Sequence, residues 1–92
     1  MMTNEGISVK LTKHAKIKIG QRNITLDEIK KVILMPELME PDKFDKSLVH
    51  FIGTIQRKFL RVIGRWESTQ DLLVISAFFD KRLKRKKKDD KN

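Results

Sequence analysis

Pro36 divides the chain into two textures, and that division constrains the fold more than any other feature. Just ahead of it lies Thr25-Leu26-Asp27-Glu28. This is a capping box: the Thr25 hydroxyl accepts from the Glu28 backbone N–H, and the Glu28 carboxylate reaches back to the Thr25 N–H. Leu26, Ile29, Val32 and Ile33 then recur at helical spacing, with Lys30 and Lys31 facing out. Pro36 ends that helix, because the residue before a proline resists the α region. Beyond it the apolar residues come in short β-rich runs separated by polar breaks. Leu38-Met39 reads as a brief strand before the turn signal Pro41-Asp42. Residues 47–55, 59–66 and 71–79 read as three more strands. Gln56-Arg57-Lys58 and residues 67–70 are short enough for hairpin connections, so neighbours should pair antiparallel.

The segment 9–19 supports two readings. Val9, Leu11, Ala15, Ile17 and Ile19 alternate with polar residues, broken only at Lys13, as in a strand. Leu11, Ala15 and Ile19 also line one helical face, with Thr12 as an N-cap. With helices early and strands late, the class is α+β: helices on one face of a three- to four-stranded antiparallel sheet. A chain of 92 residues closes a single core. The expected division is one domain over 1–80, its core about 9–80, followed by a basic tail over 81–92.

Charge is distributed unevenly. The chain carries 21 Lys and Arg against 12 Asp and Glu, a net of +9. Residues 81–92 hold eight of those cations and two of the anions, leaving 1–80 at +3. Such a block repels itself and buries little, so the tail is expected to be disordered. It reads either as a solvated end or as an arm that grips phosphates without reading sequence. An excess of this sign selects polyanions such as nucleic acid, or an anionic membrane face. The absence of cysteine removes disulfides, thiolate metal sites and thiol nucleophiles, and fits a reducing cytoplasm. No apolar run approaches the ~20 residues of a membrane span, and the first ten residues lack a signal-peptide core. A soluble cytoplasmic protein is therefore expected.

Strand alternation places Arg61 and Arg65 on one face of the 59–66 run, about 13 Å apart. Two guanidiniums on an open sheet face suit phosphate. The alternative is that they pair with Glu67, Asp71 or Glu40. His50, between Val49 and Phe51, reads as a satisfied, partly buried histidine rather than a catalytic one. The five Phe residues read as core, and Trp66 suits either core or base stacking. Two histidines 36 residues apart make no metal site unaided. Four scattered glycines make no phosphate loop, and no serine has a nucleophile-elbow context.

Residues 14–29, HAKIKIGQRNITLDEI, resemble the opening of a family of small domains grouped with the RelE/ParE-like bacterial toxins. The resemblance rests on His14-Ala15, Ile19, Arg22, Ile24-Thr25 and Asp27-Glu28, with Pro36 where that family closes its second helix. Downstream, Phe59-Leu60-Arg61-Val62-Ile63 and Leu73-Val74-Ile75-Ser76-Ala77 resemble the family's last two strands, the latter with Lys81-Arg82 in the manner of the BrnT branch. It spans roughly residues 9–85, favours a helix from near Thr12, and implies a RelE-like fold with two N-terminal helices. Asn23 stands where the family usually has glycine, and both tolerate a left-handed turn.

The resemblance implies a metal-independent messenger-RNA endoribonuclease without a cofactor, or a toxin-like domain that binds nucleic acid or protein without catalysis. Such cleavage uses the RNA's own 2′-hydroxyl and needs a base, an acid and cations on the phosphate. The expected catalytic set is His14, Arg22 and Arg61, His14 because histidine titrates near neutrality. The alternative for His14 is a helix-start residue bonded to its own backbone. The expected nucleic-acid contacts are Arg65, Lys58, Lys81, Arg82, Lys84 and Arg85. No tyrosine is present to fill a relative's acid–base role. The implied partners are RNA, including ribosome-bound message, and an acidic antitoxin protein, with no membrane.

Overall fold

The computed structural model describes residues 6–83. Among them the chain forms β1 (Ser8–Leu11), α1 (Lys13–Gln21), α2 (Leu26–Leu34), β2 (Leu38–Pro41), β3 (Leu48–Ile55), β4 (Lys58–Trp66) and β5 (Asp71–Phe79). The strands make one five-stranded sheet in the order β1-β5-β4-β3-β2. β2 to β5 form an antiparallel meander, whereas β1 runs parallel to β5. The α+β class and the two helices are as expected. The expectation of three or four wholly antiparallel strands is corrected to five in a mixed sheet. Residues 84–92, including Lys84 and Arg85 and most of the expected disordered tail, lie outside the described residues.

The extra strand comes from the segment with two readings, which obeys both in turn. Val9 and Leu11 alternate onto the core side. The Thr12 N–H then donates to the Val74 carbonyl (3.0 Å) as the last rung, and the Thr12 hydroxyl accepts from the Ala15 N–H (3.0 Å) to start α1. α1 buries only Ala15 and Ile19. Asn23 ends the turn after it at φ 58°, a left-handed conformation that asparagine tolerates, and Ile24 drops into the core. The α2 capping box forms at 3.0 and 3.1 Å.

Both helices cover one face of the sheet. Ile19, Ile24, Ile29, Val32 and Ile33 pack against Phe51, Ile55, Leu60, Val62, Leu72, Val74 and Ala77. The fit is close over β3, where a Cβ added at Gly53 would sit 3.2 Å from Val32. In β5, Val74 pairs with Gly64 and Ser76 with Ile63, so Ile75 is an extra residue in a bulge. The bulge changes parity and lets Leu72, Val74 and Ala77 all face the helices. The β3–β4 turn is also tighter than the three residues expected. Ile55 pairs with Lys58, leaving Gln56 and Arg57 alone in the turn at φ 53° and 71°. The face away from the helices carries Glu40, His50, Ile52, Arg61, Ile63, Ser76 and Phe78, by register.

Candidate functional site

Arg61 lies at the centre of that second face and is only 9% exposed. A guanidinium so covered needs partners. Its Nε donates to Asp80 Oδ2 at 2.8 Å, and its Nη1 reaches Glu40 Oε1 at 3.3 Å and His50 Nδ1 at 2.6 Å. The other His50 nitrogen, Nε2, meets Asp42 Oδ1 at 2.7 Å. A guanidinium can only donate, so Nδ1 must accept, and the imidazole proton sits on Nε2 and points at Asp42. His50 is thus a neutral ring held from both sides. None of the described residues engages Arg61 Nη2, which leaves those donors for a ligand.

The loop between β2 and β3 is built to hold this histidine. Asp42 Oδ2 accepts from the N–H groups of Phe44 (3.0 Å) and Asp45 (2.9 Å), while its other oxygen holds His50. The Asp45 N–H, then the His50 ring and the Phe44 N–H, lower the Asp42 carboxyl to about 2. Asp45 in turn accepts from the Ser47 hydroxyl (2.6 Å) and N–H (2.9 Å), which hold its own carboxyl below the usual range. This folded loop displays Phe44 almost bare, 93% exposed, at the lip of the site.

Asp80 closes the opposite side. Its N–H donates to the Phe59 carbonyl (2.8 Å), extending the ladder one residue past β5. Burial pushes its carboxyl up, but bonds from the Arg82 N–H and the Arg61 and Arg82 guanidiniums outweigh that and hold it below the ordinary value. A cleft of about 440 Å³ opens above, lined by Glu40, Asp42, Phe44, His50, Arg61, Phe78 and Arg82 among others. A histidine oriented by a carboxylate, beside a guanidinium with spare donors, can move a proton next to a bound anion.

The expected site residues are only partly gathered here. Arg61 and Arg82 line the cleft. Arg61 does pair with Glu40, as the alternative reading held, and His50 is bonded as expected, though to partners that make it more than a filler. Arg65, Lys58 and Lys81 are exposed, and the Lys58 ammonium lies 5.3 Å from the Phe79 ring centroid. His14 stands exposed on α1, and Arg22 follows α1 with Nη1 bonded to the Ala77 carbonyl (2.9 Å). Both belong to the helical layer, and no hydrogen bond among the described residues joins either to Arg61. Sequence reading missed Asp42 and Asp80, whose roles depend on pairings across the sheet.

Among the described residues no group of three or more His, Cys, Asp or Glu side chains could hold a metal ion, and no helix is long and apolar enough to cross a membrane. The chain matches no protein-family model, no curated protein and no solved structure.

Proposed function

We propose that the chain is a RelE-like, toxin-related endoribonuclease that cuts RNA in this cleft without a metal. The observation that carries the reading is the line Asp42–His50–Arg61, joined at 2.7 and 2.6 Å across the floor of an open cleft. A phosphate entering the cleft competes for Arg61 and draws Nη1 off His50 Nδ1. The freed Nδ1 then takes the proton of the adjacent 2′-hydroxyl, with Asp42 stabilising the imidazolium that forms. The 2′-oxygen bonds to phosphorus as the bond to the 5′-oxygen breaks, and a proton from solvent completes the 5′-hydroxyl. The products are a 2′,3′-cyclic phosphate and a free 5′-hydroxyl end. Arg61 and Arg82 stabilise the crowded phosphate, and Phe44 offers a face for a base. This keeps Arg61 in its expected role and gives the titrating role to His50 instead of His14.

A second reading, a nucleic-acid-binding module of the same fold without catalysis, has one observation in its favour: both His50 nitrogens are already bonded. The test is incubation of a mixed RNA with the protein in chelator, comparing wild type with His50→Gln, Asp42→Asn and His14→Ala. The expected result is chelator-resistant cutting to cyclic-phosphate ends, lost in His50→Gln and reduced in Asp42→Asn. Intact RNA both in solution and on translating ribosomes would overturn catalysis and favour the second reading. Loss of cutting in His14→Ala alone would return the titrating role to α1.

A further inference from the structure

The cleft is close to neutral, since Glu40, Asp42 and Asp80 face Arg61, Arg82 and Lys43. It therefore gives a polyanion little net attraction. The positive charge of the described residues collects elsewhere, on α1. From Gly6 to Leu26 the chain has no Asp or Glu, and α1 has no acid in its first turn. Lys13, His14, Lys16 and Arg22 are exposed, Lys18 is half-buried, and no ion pair among the described residues includes any of them.

This arrangement works against the helix that carries it. Cations in a first turn oppose the helix dipole, and like charges three or four apart, such as Lys13 with Lys16 and Lys18 with Arg22, repel. α2 shows the stabilising pattern in the same molecule, with Asp27 and Glu28 in its first turn. Nor is α1 suited to a membrane surface. Its apolar Ala15 and Ile19 are buried in the core and leave Ile17 alone outside, whereas an interfacial helix needs a broad apolar face. The position of α1 supplies the connection to the cleft. Arg22, at its C-terminal end, is fixed to Ala77 of β5, three residues before Asp80, or about 10 Å along the strand. Asp80 in turn holds Arg82 at the rim of the cleft.

We infer that the exposed side of α1 is a track for the phosphate backbone of single-stranded RNA, leading over the end of β5 into the cleft. The inference rests on the proposed RNA-directed function, and assigns to α1 the binding that the cleft's own charge does not provide. α1 spans about 13 Å, the reach of two or three consecutive phosphates. Its cations read no bases, so the track selects charge and not sequence.

The test uses the full chain and a fluorescent 2′-O-methyl RNA, which keeps the phosphates but lacks the attacking hydroxyl, titrated by anisotropy at several salt concentrations. Lys13→Gln/Lys16→Gln/Lys18→Gln should weaken binding about tenfold or more and lower the log–log salt slope by about two, at ~0.7 per lost phosphate contact. Its melting temperature should change little, because the repulsion removed at Lys13 and Lys16 offsets the loss of Lys18, which suits the dipole in the last turn. Lys30→Gln/Lys31→Gln/Lys46→Gln, an equal change of charge elsewhere, should leave the slope near wild type. Equal losses in both triple variants would overturn the track in favour of net charge, as would an unchanged slope in the α1 variant. Tighter binding of the wild type to phosphatidylserine vesicles than to RNA would also overturn it. Wild-type cutting of ordinary RNA separates the two claims. Cutting with an unchanged α1 slope defeats the track alone, and α1-dependent binding without cutting defeats catalysis alone.

Discussion

Asp80→Asn tests the electrostatic floor of the site most directly. Asp80 is 4% exposed and Arg61 9% exposed, and they meet at 2.8 Å. Removing one member of a buried pair leaves the other charge without compensation, at about 3–5 kcal/mol. Asparagine keeps a polar group in place, and Glu40 remains 3.3 Å from Arg61, though its side chain is 45% exposed and screened by water. The expected cost is therefore at the lower end, about 3 kcal/mol. For a domain of this size that lowers the melting temperature by roughly 12 °C or more. The Arg82 contact adds little, because that side chain is 85% exposed at 3.4 Å.

The assay is urea unfolding of wild type, Asp80→Asn, Arg61→Met and the double variant. The double variant should be more stable than the sum of the two losses allows, with a coupling of about 2 kcal/mol. pH gives an independent check. The folded Asp80 carboxyl sits below its ordinary value, so its contribution is complete above the unfolded value of about 3.9 and fades as pH falls through the folded one. The gap between wild type and Asp80→Asn should close on acidification. A cost under about 1 kcal/mol with additive losses would refute the buried-pair reasoning.

Further predictions concern the loop, a turn and a helix. Carboxyl NMR should find Asp42 still ionised at pH 3, consistent with a value of about 2, and His50→Gln should raise it because the ring bond is the second largest cause of the shift. The stability Asp42 contributes is then complete above about pH 4 and lost as the pH approaches 2. Replacing Gln56-Arg57 with Asn-Gly should stabilise by about 1 kcal/mol in the same unfolding assay, because both residues now hold positive φ without glycine. Gly20→Ala should add about 0.5–1 kcal/mol of stability, since an added Cβ meets nothing within 4 Å.

Local signals were legible, and long-range ones were not. The α2 capping box, Pro36 as the end of that helix and the strand character of 47–55, 59–66 and 71–79 depend on neighbours in sequence, and all appear in the structure. β1 was hidden because four residues of alternation cannot show that a partner sixty residues later will accept them. Val74 and Ala77 face the same side of β5 only because of the bulge at Ile75, which nothing in LLVISAFF announces. The site was hidden by a single residue. With Lys58 in the turn, His50 would face Gly64 and Arg61 would face Gly53, placing the two side chains on opposite faces. With Lys58 in β4, His50 faces Ile63 and Arg61 faces Ile52, and the two become diagonal neighbours on one face. A two-residue turn of non-glycine residues at positive φ gives little warning in sequence, so the pairing of His50 with Arg61 went unread.

The parallel pairing of β1 with β5 also sets an order on folding during synthesis. β1 leaves the ribosome before the other described elements, yet the strand it must join is residues 71–79. α1 rests chiefly on the same strand. Until β5 emerges, β1 has no strand to pair with and α1 lacks its main support, while β3 and β4 can already pair with each other. Closure of the sheet at β1 is then the longest loop to be formed and the step that slows folding. Growing chains stopped before residue 71 should expose β1 and α1 to proteases, and chains extended past residue 79 should protect them.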